Sequence, residues 1–155
     1  SEKYLSFIEY HFKKHKRTIT PEALEFISIF TRLHTYYTQV VCNRLFADNH
    51  NHITLETVQQ TCSRLLKEQE NTFFQYRNLL TPMQWQLLRA IAKEDKLYQP
   101  GSKAFLTQYK IGTPSYVQRA MNALLTKEMV YTETDEKGDY YRVYDCFLAR
   151  WLELL

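Results

Sequence analysis

Thr113-Pro114-Ser115-Tyr116-Val117-Gln118-Arg119-Ala120-Met121-Asn122-Ala123-Leu124-Leu125-Thr126 is the stretch on which the reading of this 155-residue chain turns. Thr113 and Pro114 form a helix-start pair. A threonine oxygen accepts a first-turn N–H, and proline, with no N–H and a fixed φ, suits the first helical position. At 100° per residue, Val117, Met121, Leu124, Leu125 and Ala120 share one side, and Ser115, Gln118, Arg119, Asn122 and Thr126 share the other. The first side predicts burial. The second is polar, rich in hydrogen-bonding groups and carries a single charge.

Upstream of this helix, Lys110-Ile111-Gly112 turns the chain, and Ser102 caps a two-turn helix carrying Phe105, Leu106 and Tyr109. Before that, Leu97-Tyr98-Gln99-Pro100-Gly101 reads as a short extended piece closed by a Pro-Gly break. Thr81-Pro82-Met83-Gln84 is a T-x-x-Q capping box with Pro at the first helical position, opening a helix whose apolar face is Trp85, Leu87, Leu88, Ile91 and Ala92. Downstream, residues 129–134 and 140–144 are β-branched and aromatic runs separated by Asp135-Glu136-Lys137-Gly138-Asp139, which predicts a hairpin. Asp145 caps a last amphipathic helix with Phe147, Leu148, Trp151 and Leu152 inward. Helix, short strand, helix, turn, helix and hairpin, in that order, is a winged helix-turn-helix, and we place it at residues 81–155.

Residues 1–80 read as a purely helical bundle. Leu5, Ile8 and Phe12 recur at helical spacing and give way to Lys13, Lys14, Lys16 and Arg17, cations suited to a helix C-terminus. Thr20-Pro21-Glu22 opens a second helix with Leu24, Ile27 and Phe30. Thr35 is read as the cap of a third, with Tyr37, Val40, Val41 and Leu45 inward. After a polar turn from Asp48 to His52, Thr54 caps a long helix with one apolar stripe through Val58, Cys62, Leu65, Leu66 and Phe73. The fold class is therefore mainly α.

Composition excludes several functions. The only glycines are Gly101, Gly112 and Gly138, so neither a G-x-x-x-x-G-K-[ST] phosphate loop nor a G-x-G-x-x-G dinucleotide loop is present. Cys42, Cys62 and Cys146 are odd in number and widely spaced, against a disulfide framework or a C-x-x-C zinc site. His50-Asn51-His52 resembles a metal pair but has only Asp48 nearby in sequence, short of the three or four ligands that zinc requires, so no metal site is assigned. No catalytic residues are assigned either. Apolar runs are short, and the start, Ser1-Glu2-Lys3, is unlike a signal peptide, which points away from export and membranes and toward a reducing cytoplasm. The missing initiator Met points to a chain cut from something longer.

Gln, Asn and Arg are side chains whose forked groups read base edges in a major groove. The face Ser115, Gln118, Arg119, Asn122, Thr126 is thus a candidate DNA- or partner-binding surface. Lys103, Lys110, Lys127, Lys137 and Arg142 are candidates for phosphates around it. Against DNA stand Glu128, Glu133, Asp135, Glu136 and Asp139 on the same unit, and a net charge of only +3, from 20 Lys and Arg against 17 Asp and Glu.

Two stretches carry a family resemblance. Residues 115–125, followed by Tyr141-Arg142-Val143-Tyr144-Asp145 and Phe147-Leu148-Ala149-Arg150-Trp151-Leu152, resemble the C-terminal winged helix of the archaeal-type AAA+ family of P-loop ATPases, close to the signal-transduction ATPases. His34-Thr35-Tyr36-Tyr37-Thr38-Gln39-Val40-Val41-Cys42 is similar to the family's lid helix, which usually opens His-Pro-Tyr-Tyr. Together the similarity spans about residue 20 to 155. Thr35 stands where the family tends to have Pro, and Cys146 where Pro often follows the Asp.

The resemblance implies a lid bundle plus winged helix whose P-loop core lies N-terminal to Ser1 in a longer polypeptide of a bacterial or archaeal cytoplasm. ATP and Mg²⁺ would then be cofactors of that parent and not of this chain. By position His34 and Tyr37 would face the nucleotide; otherwise both rings simply pack between helices. The leading expectation is a non-catalytic regulatory piece acting as a nucleotide-coupled switch, its partners the ATPase core and either DNA or a protein. The competing expectation is a free-standing transcription regulator, with the helical half serving dimerisation or effector binding.

Overall fold

The computed structural model describes residues 2–155. Among the described residues there are eight helices and two small two-stranded sheets, arranged as two compact units, 1–68 and 69–155.

The first unit contains α1 (Glu2–Lys14), β1 (Thr18–Ile19), α2 (Pro21–Thr31), α3 (Thr35–Ala47), β2 (His52–Ile53) and the first part of α4 (Leu55–Asn78). Its core is built from Ile8, Phe12, Ile27, Val41, Leu45, Ile53 and Val58, all nearly or fully enclosed. Thr20 caps α2 through its Oγ1, which accepts from Ala23 N at 3.2 Å. Inside the bundle Thr31 Oγ1 donates to Ile27 O at 2.6 Å and lies 2.9 Å from Thr38 Oγ1, so two buried hydroxyls satisfy each other.

This half is not purely helical. β1 and β2 pair in parallel, Thr18 with His52 and Ile19 with Ile53, and Ile19 and Ile53 point their side chains into the core. Two further boundaries move. α1 stops at Lys14, leaving Lys16 and Arg17 in the turn behind it. His34, not Thr35, is the N-cap of α3, and its side chain makes no capping bond. Tyr37 and Val40 are half-buried, whereas Val41 and Leu45 are enclosed as expected.

The second unit takes the last part of α4, then α5 (Pro82–Glu94), α6 (Lys103–Tyr109), α7 (Pro114–Thr126), β3 (Val130–Asp135), β4 (Gly138–Val143) and α8 (Cys146–Glu153). The end of α4 belongs here because Phe73 and Phe74 pack on the Trp151 ring at 5.5 and 4.7 Å. Thr81 and Gln84 complete the reciprocal capping box at the start of α5. Leu87, Leu88 and Ile91 of α5, Met121 and Leu124 of α7 and Leu152 of α8 are fully enclosed and form the centre of the unit. β3 and β4 are antiparallel, and Leu97 adds one bridge to Tyr141, giving the small third strand of a winged helix. The hairpin closes more tightly than the five-residue gap in the sequence suggests. Asp135 pairs with Gly138, so only Glu136 and Lys137 turn, with Gly138 at φ 113°, a value that glycine alone adopts freely.

Candidate interaction face

α7 is anchored from beneath and open above. Thr113 Oγ1 accepts from Tyr116 N at 3.4 Å, and Val117, Ala120, Met121 and Leu124 are buried. Ser115, Gln118, Arg119, Asn122 and Thr126 are all exposed, so the structure brings the five sequence-selected positions together on one helix face. Gln118 Nε2 donates to Asn122 Oδ1 at 3.0 Å, and Thr126 Oγ1 donates to Asn122 O at 2.9 Å. This i to i+4 ladder keeps the two amides side by side. The Arg119 guanidinium lies 4.8 Å from the centre of the Tyr116 ring, which is 53% exposed. Tyr116 is the member of the face that sequence reasoning missed. Its signal was the i to i+3 spacing from Arg119, the geometry that lets a cation cover a ring.

The surrounding cations are placed unequally. Lys103 at the start of α6 and Lys110 at its end are exposed. Lys127, behind α7, is exposed with its Nζ 3.4 Å from Leu79 O. Arg142 is different: its Nη2 lies 2.7 Å and its Nε 3.1 Å from the Asp95 carboxylate, and its side chain is only 14% exposed. That guanidinium fastens the hairpin to the end of α5.

The wing itself is dominated by carboxylates. Asp135 accepts from Tyr98 Oη at 2.6 Å, from Lys96 Nζ at 3.0 Å and from Lys137 N at 2.9 Å. These donors, Tyr98 foremost, hold the Asp135 carboxyl down to about 2, and the same bond pushes the Tyr98 hydroxyl up to about 12. Glu133, Glu136 and Asp139 are exposed on the same hairpin beside a single exposed lysine, Lys137. Residues 69–155 hold eleven Lys and Arg against ten Asp and Glu, a net of +1.

In the first unit, His34 is exposed at the start of α3, so its ring is not enclosed between helices. It sits 5.1 Å from the half-buried Tyr37 ring, and Tyr36 stands 5.2 Å from Tyr37. His52 Nδ1 lies 2.6 Å from Thr18 Oγ1, and among the described residues no group of three or more His, Cys, Asp or Glu is placed to hold a metal ion. Cys42, Cys62 and Cys146 are thiols outside any disulfide, and burial pushes the Cys42 thiol up to about 12. No described helix is long and apolar enough to cross a membrane.

Comparison with known proteins agrees with this geometry. Residues 71–154 match the model of a family described as "Probable winged helix domain". No curated protein and no solved structure matches the chain.

Proposed function

Since this chain belongs to the family described as a probable winged helix domain, we propose that it is a non-catalytic interaction module of a longer P-loop ATPase, contacting a protein surface through the outward face of α7. The observation that carries the contact is the composition of that face. It offers hydrogen-bonding groups and one cation already stacked on an exposed tyrosine, Arg119 on Tyr116, beside an acidic wing. Protein interfaces draw their energy from exactly such Tyr and Arg anchors, whereas affinity for duplex DNA comes mainly from neutralised phosphates. The ATPase parent is supported by the resemblance of residues 20–155 to the lid and winged helix of archaeal-type AAA+ proteins. In that reading ATP and Mg²⁺ belong to the core of the parent, with His34 and Tyr37 facing the nucleotide. The residues of this chain do not themselves fit MgATP: three isolated glycines provide no phosphate loop of backbone N–H groups.

A second reading, a DNA-binding regulator, is favoured by one observation, the paired amides of Gln118 and Asn122, which have the chemistry to read adenine edges. The two readings separate in a fluorescence anisotropy titration against a pool of duplexes in about 0.15 M salt, where long-range attraction between exposed charges is screened beyond ~8 Å. We expect no sequence-selective binding that depends on α7. Selection of one duplex, lost in the Gln118→Ala/Arg119→Ala variant, would replace the first reading by the second.

A further inference from the structure

We infer that the turn behind α1, Lys13-Lys14-His15-Lys16-Arg17, is a contact surface for the phosphate backbone of nucleic acid. This inference is independent of what α7 contacts.

The turn is a Schellman motif. Arg17 N donates to Phe12 O at 2.9 Å and Lys16 N to Lys13 O at 3.0 Å, with Lys16 left-handed at φ 59°. Helix-end physics explains part of its composition. Lys13 and Lys14 complement the negative end of the helix dipole. Arg17 donates to Leu45 O and Phe46 O at 3.2 and 2.8 Å, covering the last carbonyls of α3, and stacks on the Phe46 ring at 4.9 Å.

Lys16 is the residue that these reasons leave out. Glycine or asparagine is the unstrained choice at a left-handed cap, and a lysine there adds a fourth like charge to one turn. The surroundings do not neutralise it. Residues 10–21 contain no Asp or Glu. Lys13 pairs with Glu9 at 3.0 Å, both exposed, while Lys14 and Lys16 have no carboxylate partner among the described residues. The other acid of this region, Asp48, is held by Arg64 at 2.8 Å. Pairing of Thr18 with His52 brings a second loop, His50-Asn51-His52, beside the turn, and that loop also carries no acid.

Lys13, Lys14 and Lys16, exposed on a rigid, backbone-bonded turn, complement a polyanion with regularly spaced single charges. A duplex provides one phosphate charge per ~1.7 Å of its axis, and each neutralised phosphate adds about 0.9 to the log–log salt slope.

The test uses the 155-residue chain and a fluorescein-labelled 20-bp duplex of arbitrary sequence, titrated by anisotropy from 50 to 200 mM KCl. We expect binding that weakens steeply with salt. Lys13→Gln/Lys14→Gln/Lys16→Gln should lose at least about tenfold in affinity at 50 mM and flatten the slope by roughly two to three. Gln118→Ala/Arg119→Ala should keep most of the affinity. Where the triple variant melts lower than the parent chain, Lys14→Gln/Lys16→Gln, which breaks no ion pair, serves in its place with an expected slope loss of about two. No binding at 50 mM, equal binding by parent and variant, or binding to phosphatidylserine vesicles in preference to the duplex would overturn the inference.

Discussion

Trp151→Ala should lower the stability of the second unit by about 3–5 kcal/mol, among the largest costs that one truncation produces. The ring is 3% exposed and lies among Phe73, Phe74 and Trp85 at 5.5, 4.7 and 6.2 Å between ring centres. Removing it opens a cavity that aromatic neighbours, fixed on α4 and α5, are too rigid to fill. It also takes the indole N–H from Glu70 Oε2, 3.0 Å away, leaving that carboxylate without its donor. Trp151→Phe separates the two effects, because it keeps most of the packing and loses only the bond, at a cost of about 1 kcal/mol. Urea unfolding followed by far-UV circular dichroism measures both. Equal stability of Trp151→Ala and the parent chain would contradict the packing described for α8.

Phe12→Ala is the corresponding expectation for the first unit, again about 3–5 kcal/mol. Phe12 is 1% exposed and stacks on Phe46 at 4.5 Å with the rings 11° apart. Phe46 in turn carries the Arg17 guanidinium on its ring. The truncation therefore loosens both the core and the turn whose carbonyl, Phe12 O, receives the N–H groups of His15 and Arg17. The same urea titration reads the outcome, and a loss under about 1 kcal/mol, the size expected of a surface substitution, would place Phe12 outside the core.

The parts of this fold that sequence revealed are those specified within a few residues. The capping box Thr81–Gln84, the caps Thr20, Ser102, Thr113 and Asp145, and the two-faced pattern of α7 each depend on spacings of three or four positions, and each is found where expected. The winged helix followed from their order. What escaped reading is held by contacts between distant residues. β1 and β2 are two residues long, too short for any alternation to show, and their partners stand 34 positions apart. Arg142, selected as a phosphate contact because it is a cation on a wing, is bound by Asp95, 47 positions away, and nothing local to either residue signals that pairing. At α3 a threonine beside a histidine looked like the better cap, yet the chain enters the helix at His34, with left-handed Arg32 and Leu33 turning it there. Tyr116 escaped because it falls between the two faces of α7, and its part in the exposed one shows only once the Arg119 guanidinium is placed over its ring.

The central proposal is that this chain is a non-catalytic module of a longer ATPase and acts through the outward face of α7, and the steady-state ATP turnover of that proposed parent tests it. The expected result is that the proposed parent hydrolyses MgATP. Gln118→Ala/Arg119→Ala should also change the rate severalfold, a difference of about 1 kcal/mol in the barrier. The melting temperature of residues 1–155 should stay where it was, because both side chains are exposed. A polypeptide without ATP turnover, or one whose rate is the same with and without the two side chains, would contradict the proposal.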